Sequence, residues 1–265
     1  WQREKLTELA PKLASFQPVQ NNISYNHAGA TRGLHAEPWD KLVSVAQGKI
    51  FGAWCDLREG SESFGEVVTH EVGPETAVFV PRGVANGFQA LEETSYCYLV
   101  NEHWSAEALY SAVNLNIVDW PLEPTEISKK DKQHPALEDV SPMPARRILV
   151  TGANGQLGRA LKRLLADAEF CTHAEFDITN PPARNWKQYS AIINCAAYND
   201  VNGAESDRAA AWAVNAEGPA KLARIAAENQ ITLVHVSSDY IFDGANEVHT
   251  EEELPSPLSA YGASK

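Results

Sequence analysis

Two hydrophobic rhythms run along this chain. Up to Val118 the apolar residues come in short runs, Leu42–Val45, Ile50–Leu57, Thr76–Val80, Ser95–Val100 and Ala112–Val118, rich in Val, Ile and aromatic residues. Turn formers separate them: Gly48, Gly60 to Ser63, Gly73-Pro74 and Pro81 to Gly83. Many short strands with no helical pattern between them predict an all-β sandwich, barrel or jelly roll. A short helical stretch, Glu4 to Ala14, precedes them.

From Arg147 the rhythm changes. Arg147–Thr151 (RILVT) reads as a strand buried inside a parallel sheet. Gln156–Ala168 predicts a helix with Leu157, Leu161, Leu164 and Leu165 on one face. Ala191–Cys195 and Ile231–Ser237 are further buried strands, and the alanine-rich Ala204–Asn229 a helix broken near Val214–Gly218. Alternating strand and helix predict a doubly wound parallel α/β sheet. The proline-broken segment Glu138–Arg147 (EDVSPMPARR) separates the two patterns. The expected organisation is an all-β domain over residues 1–140, a linker over 141–146 and an α/β domain over 147–265.

Composition narrows the partners. The chain has 265 residues, 44% of them hydrophobic and 22% charged, which suits two ordinary globular domains. Its formal charge of −13 argues against a nucleic acid or an acidic lipid surface as partner. No apolar run approaches the roughly 18 residues of a membrane span, and no signal peptide is expected. The four cysteines fall singly, so reduced thiols and a cytoplasmic location are expected.

The phrase RRILVTGANGQLGRAL sets Gly152, Gly155 and Gly158 between a strand and a helix. In dinucleotide sites the first glycine permits a tight turn, the second lets backbone approach a pyrophosphate, and the third lets helix pack on strand. Asp177 follows at a distance suited to a ribose or adenine edge. Tyr261 and Lys265 are four apart and so share a helix face, where a lysine cation lowers a phenol's pKa. The GxxGxxG spacing, Ser237-Ser238-Asp239-Tyr240 after a strand, and Tyr261-Gly-Ala-Ser-Lys265 together resemble the extended short-chain dehydrogenase/reductases. The phrases FDIT (Phe176–Thr179), NCAAYNDVNGAE (Asn194–Glu205), VNAEGPAKLA (Val214–Ala223) and SSDYIFDG (Ser237–Gly244) resemble the dTDP-4-dehydrorhamnose reductases in particular.

That resemblance implies a Rossmann-like fold binding NADH or NADPH through Gly152, Asn154, Gly155, Gln156, Leu157, Gly158, Asp177, Ile178, Ala196, Ala197 and Tyr198. It implies Tyr261 as proton donor to a ketone, Lys265 as its partner and Ser238 as a hydrogen-bond donor to the ketone oxygen. Asp177 argues for NADH, while Arg159 on the first helix suits a 2′-phosphate, so the cofactor choice stays open. The family pattern continues past Lys265, and a partial reductase domain is expected here. Ala160 stands where some relatives carry a metal-binding carboxylate.

In the first half, Thr31-Arg-Gly-Leu-His35, Asp40-Lys41-Leu-Val, Val80 to Phe88, Tyr98 and Ile127 to Asp131 come in the order found in dTDP-4-dehydrorhamnose 3,5-epimerases. DLREGSESFG (Asp56–Gly65) and HPALED (His134–Asp139) resemble that family too. The resemblance implies a cupin-type jelly roll that needs no cofactor and forms a homodimer through this domain. It implies His35 as base, Asp131 orienting it, Lys41 stabilising an enolate and Tyr98 returning the proton on the opposite face. A histidine, with an ordinary pKa near ~6.5, suits that base, and an enolate favours a nearby cation. Arg32 and Trp104 are expected on the nucleotide, by phosphate pairing and stacking. Asn86, taken as a substrate contact, stands where the family usually has histidine and cannot take a proton. The family's first strands lie upstream of Trp1. His27, His35, His70, His103 and His134 lack the spacing of a metal-binding cupin, and no metal is expected.

The two resemblances imply consecutive steps on one substrate: a 4-keto-6-deoxy dTDP-sugar inverted at C3 and C5, then reduced at C4 to dTDP-L-rhamnose. Two alternatives stay open. One is a non-catalytic protein that binds nucleotide sugar or NADP(H), with a regulatory or scaffold role; the other is the same chemistry on a different 4-keto nucleotide sugar.

Overall fold

A computed structural model describes residues 3–10, 13, 14, 16–106 and 108–265. They form two compact units that divide between Ala145 and Arg146.

The first unit opens with α1 (Arg3–Leu9), which takes up the start of the predicted Glu4–Ala14 helix; residues 11 and 12 of that stretch lie outside the described residues. Nine strands follow: β1 (Gln20–Asn26), β2 (Thr31–Ala36), β3 (Lys41–Gln47), β4 (Ile50–Asp56), β5 (Val67–Val72), β6 (Ala77–Val80), β7 (Val84–Ala90), β8 (Thr94–Val100) and β9 (Ser111–Ala112). They make two sheets, ordered β1-β8-β3-β6 and β5-β4-β7-β2-β9, with antiparallel neighbours throughout.

The period of two along each strand sorts the core. On β4, Ile50 and Trp54 join Val43, Val45, Phe88 and Tyr96 in a cluster that draws on both sheets. Ala53 and Cys55 face the other way, into a cluster with Leu34, Leu115, Val118 and Met143. The inner strands β4, β7 and β2 of the five-stranded sheet are therefore buried on both faces, with the segment after β9 covering the outer one. Each fully buried Val, Leu or Ile side chain there contributes about 1.5–3 kcal/mol.

Four strands of this unit escape the sequence reading. β1 (QNNISYN) is too polar to show a buried face, and β5 is exposed at every position but its last. β2 and β7 place Arg32, His35 and Asn86 on a buried surface, which breaks the apolar alternation. The expected strand Ala112–Val118 is corrected to the pair Ser111–Ala112. After it the Asn114 side chain accepts the Asn116 N–H at 2.8 Å and turns the chain into a 3-10 helix, Leu115–Ile117. The linker-like segment is fastened to this unit: Met143 is buried, and its N–H donates to the Leu57 carbonyl at 2.7 Å.

The second unit carries β10 (Arg147–Thr151), α2 (Gln156–Leu161), β11 (Glu169–Cys171), β12 (Tyr189–Asn194), α3 (Val201–Ser206), α4 (Arg208–Trp212), α5 (Gly218–Glu228), β13 (Thr232–His235) and α6 (Ala260–Ser264). Its four strands form one parallel sheet, ordered β11-β10-β12-β13. The predicted break near Val214–Gly218 is a π-helical turn over Ala213–Glu217. The predicted helix Gln156–Ala168 is corrected: α2 stops at Leu161, where the bonds tighten to Arg163 N–H on Ala160 and Leu164 N–H on Leu161. The four-leucine face is lost with it, and Leu157 and Leu164 are exposed. Among the described residues no helix is long and apolar enough to cross a membrane.

Candidate active sites

In the first unit a cavity of about 410 Å³ lies between the sheets. Lys41, Tyr96 and Tyr98 line it from one sheet, and Arg32, His35, Asn86 and Phe88 from the other. Strand period puts them there. Leu34 and Ala36 enter the core behind the five-stranded sheet, so His35 between them faces the cavity. Lys41 and Val43 share a face of β3, and register sets Val43 opposite Tyr98 on β8.

His35 Nε2 lies 2.8 Å from Asp131 Oδ1, although the two are 96 positions apart. Asp131 is buried (3% exposed) on a short 3-10 helix, and the Gly33 N–H donates to its Oδ2 at 3.3 Å. Burial pushes its carboxyl up, but the hydrogen bond and charge of His35, with Ser128 and the Gly33 N–H, hold it below the usual carboxylate range. Lys41 Nζ sits 2.6 Å from Glu37 Oε1 and 5.2 Å from the centre of the Tyr98 ring. Burial, then the Glu37 charge, raise the Tyr98 phenol above its ordinary value.

The structure thus brings His35, Asp131, Lys41, Tyr98 and Arg32 to one place. Arg32 Nη2 donates to Glu126 Oε1 at 2.7 Å at the rim. Trp104 lines a second cavity, of about 470 Å³, which shares His35 and Glu37 with the first and adds Tyr110, Lys130 and His134. Asn86 lies in the first cavity's wall with its carboxamide committed: Trp54 Nε1–H donates to its oxygen at 2.9 Å, and its Nδ2 donates to the Tyr96 hydroxyl at 3.1 Å. The expected substrate contact thus falls on a side chain that lines the cavity and also braces its wall.

Sequence reasoning misses two residues here. Glu37 stands two beyond His35, and strand periodicity alone assigns it to the same face. His134 follows Asp131 by one tight turn, and its ring meets the His35 ring edge to face at 5.0 Å. Burial and the His35 charge lower its pKa; the Asp131 charge and the Gly33 backbone pull the other way, the latter without reaching hydrogen-bond geometry.

In the second unit the glycine turn follows β10. Gly152 has φ +69°, and a Cβ there would meet the Ala196 nitrogen at 2.6 Å. A Cβ on Gly158 would meet the Gly152 carbonyl oxygen at 2.5 Å, so α2 packs directly on the turn. Asn154, Gly155, Gln156 and Leu157 are exposed above it. Asp177 accepts both the backbone N–H and the hydroxyl of Thr179 at 2.8 Å, which lower its pKa. Ile178 is 2% exposed, and its side chain packs in the core. Ala196, Ala197 and Tyr198 form the loop after β12, where Asn215 clamps the Tyr198 backbone through both its N–H and C=O.

Ser238 caps a 3-10 turn, accepting the Tyr240 N–H at 3.2 Å. The Tyr240 and Tyr261 rings meet edge to face at 5.4 Å. A Cβ on Gly262 would strike the Tyr240 carbonyl oxygen at 2.2 Å, so the glycine lets α6 dock on the Ser238 loop. Lys265 Nζ lies 5.9 Å from the Tyr261 ring centre, and burial lowers its pKa.

The units have the make-up of a cupin-type epimerase domain followed by an α/β reductase-type domain. Residues 1–139 match the dTDP-4-dehydrorhamnose 3,5-epimerase family, and the chain belongs to it. Residues 146–265 match the RmlD substrate binding domain. A protein RmlC homolog from Streptococcus pyogenes is 47% identical over 154 residues, 54% of this chain and 78% of that protein. RmlC from Streptococcus suis, solved in complex with dTDP-D-xylose, has 44% identity and a TM-score of 0.50, over 54% of this chain and 79% of its own. The dTDP-4-dehydrorhamnose reductase of Mycobacterium tuberculosis is 48% identical over 106 residues, 38% of this chain but 35% of that enzyme. The chain thus spans about a third of that reductase's length.

Proposed function

We propose that this chain carries the 3,5-epimerisation of dTDP-4-dehydro-6-deoxy-D-glucose in its first unit and contributes to NAD(P)H-dependent reduction of the C4 ketone in its second. Together the steps lead to dTDP-L-rhamnose. One observation carries the first part: His35, hydrogen-bonded to a buried carboxylate, shares a cavity with a lysine and a protonated phenol.

Epimerisation next to a ketone removes a C–H proton and returns one to the opposite face. An ionised Asp131 only accepts, so it holds the His35 Nε2–H tautomer and leaves Nδ1 as the base. Lys41, fixed by Glu37, supplies positive charge for the enolate oxygen. Tyr98 is the proton donor on the other side, and its raised pKa keeps that proton in place. Arg32 is assigned to the diphosphate and Trp104 to the base.

In the second unit the Rossmann-like reading rests on the Gly152 cradle, which a side chain would fill. NADH or NADPH would supply a hydride there. Gly152, Gly155 and Gly158 would hold its pyrophosphate, and Asp177 its ribose. Tyr261 would protonate the ketone oxygen, with Ser238 bonded to that oxygen and Lys265 beside the phenol.

Deuterium wash-in tests the reading. In D2O the full chain should exchange the C3 and C5 hydrogens of the keto sugar, and His35→Ala should abolish exchange. A folded wild type that exchanges neither position would be a binding module instead.

A further inference from the structure

His134 has no part in this proton relay, yet it is held against it. It is only 9% exposed, and among the described residues neither ring nitrogen has a hydrogen-bond partner. A buried unpaired imidazole costs free energy that a well-packed apolar side chain would avoid. One donor atom from each of His35, Asp131 and His134 lies within 4.8 Å of the other two.

We propose that these three residues form a binding site for a divalent transition-metal ion, with zinc as the reference ion, and that the bound ion switches off the epimerase site. Two imidazoles and one carboxylate are a zinc donor set, and three protein ligands leave the fourth position open. Tetrahedral zinc places its donors about 3.4 Å apart. The widest pair, within 4.8 Å, therefore closes by at most about 1.4 Å, while His35 Nε2 and Asp131 Oδ1, now 2.8 Å apart, part slightly. The second shell is already present: the Gly33 N–H donates to Asp131 Oδ2, orienting the carboxylate. His35 lines both cavities, so the open position faces solvent or a ligand. No HxH spacing announces the site, because its ligands come from a strand and from the two ends of a 3-10 turn almost one hundred residues later.

The consequence for catalysis rests on the function proposed above. A metal on His35 and Asp131 occupies the groups that move the proton, so it acts against the reaction.

Zinc titration of the full metal-free chain against a chromophoric chelator tests the site directly. One zinc per chain is expected, with binding weakened at least about tenfold in His134→Phe and in His134→Gln. His249→Ala, remote in sequence and paired with Glu253, should bind as wild type. Cobalt(II) gives a readout independent of any variant's folding: two hyperfine-shifted imidazole N–H proton signals, one per histidine. Absence of zinc binding, or a cobalt spectrum without two histidine signals, overturns the site. Zinc should also suppress deuterium wash-in, and a chelator restore it. If zinc binds but wash-in continues, the switch fails and the site stands; if the metal-free chain shows no wash-in, the proposed activity fails and the zinc result still decides the site.

Discussion

Lys41 and Glu37 form a buried ion pair at 2.6 Å on the wall of the cavity that His35 faces. The lysine side chain is 8% exposed, so the carboxylate stands where water would otherwise meet the ammonium group. Glu37→Gln keeps a hydrogen-bond acceptor and removes the charge. It should lower stability by about 1–3 kcal/mol in urea unfolding. It should also lower the Tyr98 titration midpoint, because the Glu37 charge helps to raise it. Ultraviolet difference titration, with Tyr98→Phe subtracted, reads that shift; an unchanged midpoint would remove Glu37 from the account.

Asn86 bridges Trp54 and Tyr96 from within the sandwich. Asn86→Ala leaves the indole N–H and the tyrosine hydroxyl without this partner, each loss costing about 1–3 kcal/mol. The variant should unfold at clearly lower urea concentration. A midpoint equal to wild type would mean that the bridge carries no stability.

Stability should fall on mild acidification. Burial holds His134 below the ordinary histidine value of 6.5, so below that pH the unfolded chain binds a proton that the folded one resists. The stabilisation is complete above 6.5 and is lost as pH falls through the depressed folded value. Asp131 adds a second loss in more acid solution: its contribution is complete above the usual 3.8 and disappears as pH falls through its lowered pKa. Thermal midpoints between pH 7 and 5 should drop in wild type and drop less in His134→Phe. Parallel curves would place the sensitivity elsewhere.

Gly158 lets α2 touch the turn that follows β10. In Gly158→Ala the new methyl would stand 2.5 Å from the Gly152 carbonyl oxygen, and both partners are backbone, so the turn must shift. NADPH binding to the full chain, followed by nucleotide fluorescence, should weaken by about tenfold or more. Equal affinity in the variant would detach the glycine turn from the cofactor.

Much of this was legible from local pattern. The switch of hydrophobic period at Arg147, the glycine turn after an apolar strand and the Tyr261–Lys265 spacing depend on residues close in sequence, and local geometry follows from local composition. The polar strand β1 was hidden because its backbone is held by β8 and not by a buried face of its own. The core packing of Ile178 was hidden because a short motif does not tell how deeply each of its residues is buried.

By itself the sequence determined the two patterns, the order of the motifs and the chemical groups available. Tertiary structure decided which groups meet. His35 and Asp131 are 96 positions apart, and only the docking of the 3-10 turn behind β2 puts imidazole against carboxylate. Register between β3 and β8 carries Tyr98 beneath Lys41, and long-range packing sets the His134 ring against that of His35 with no hydrogen-bond partner among the described residues. Such contacts arise from long-range packing, and neither periodicity nor spacing along the chain encodes that distance.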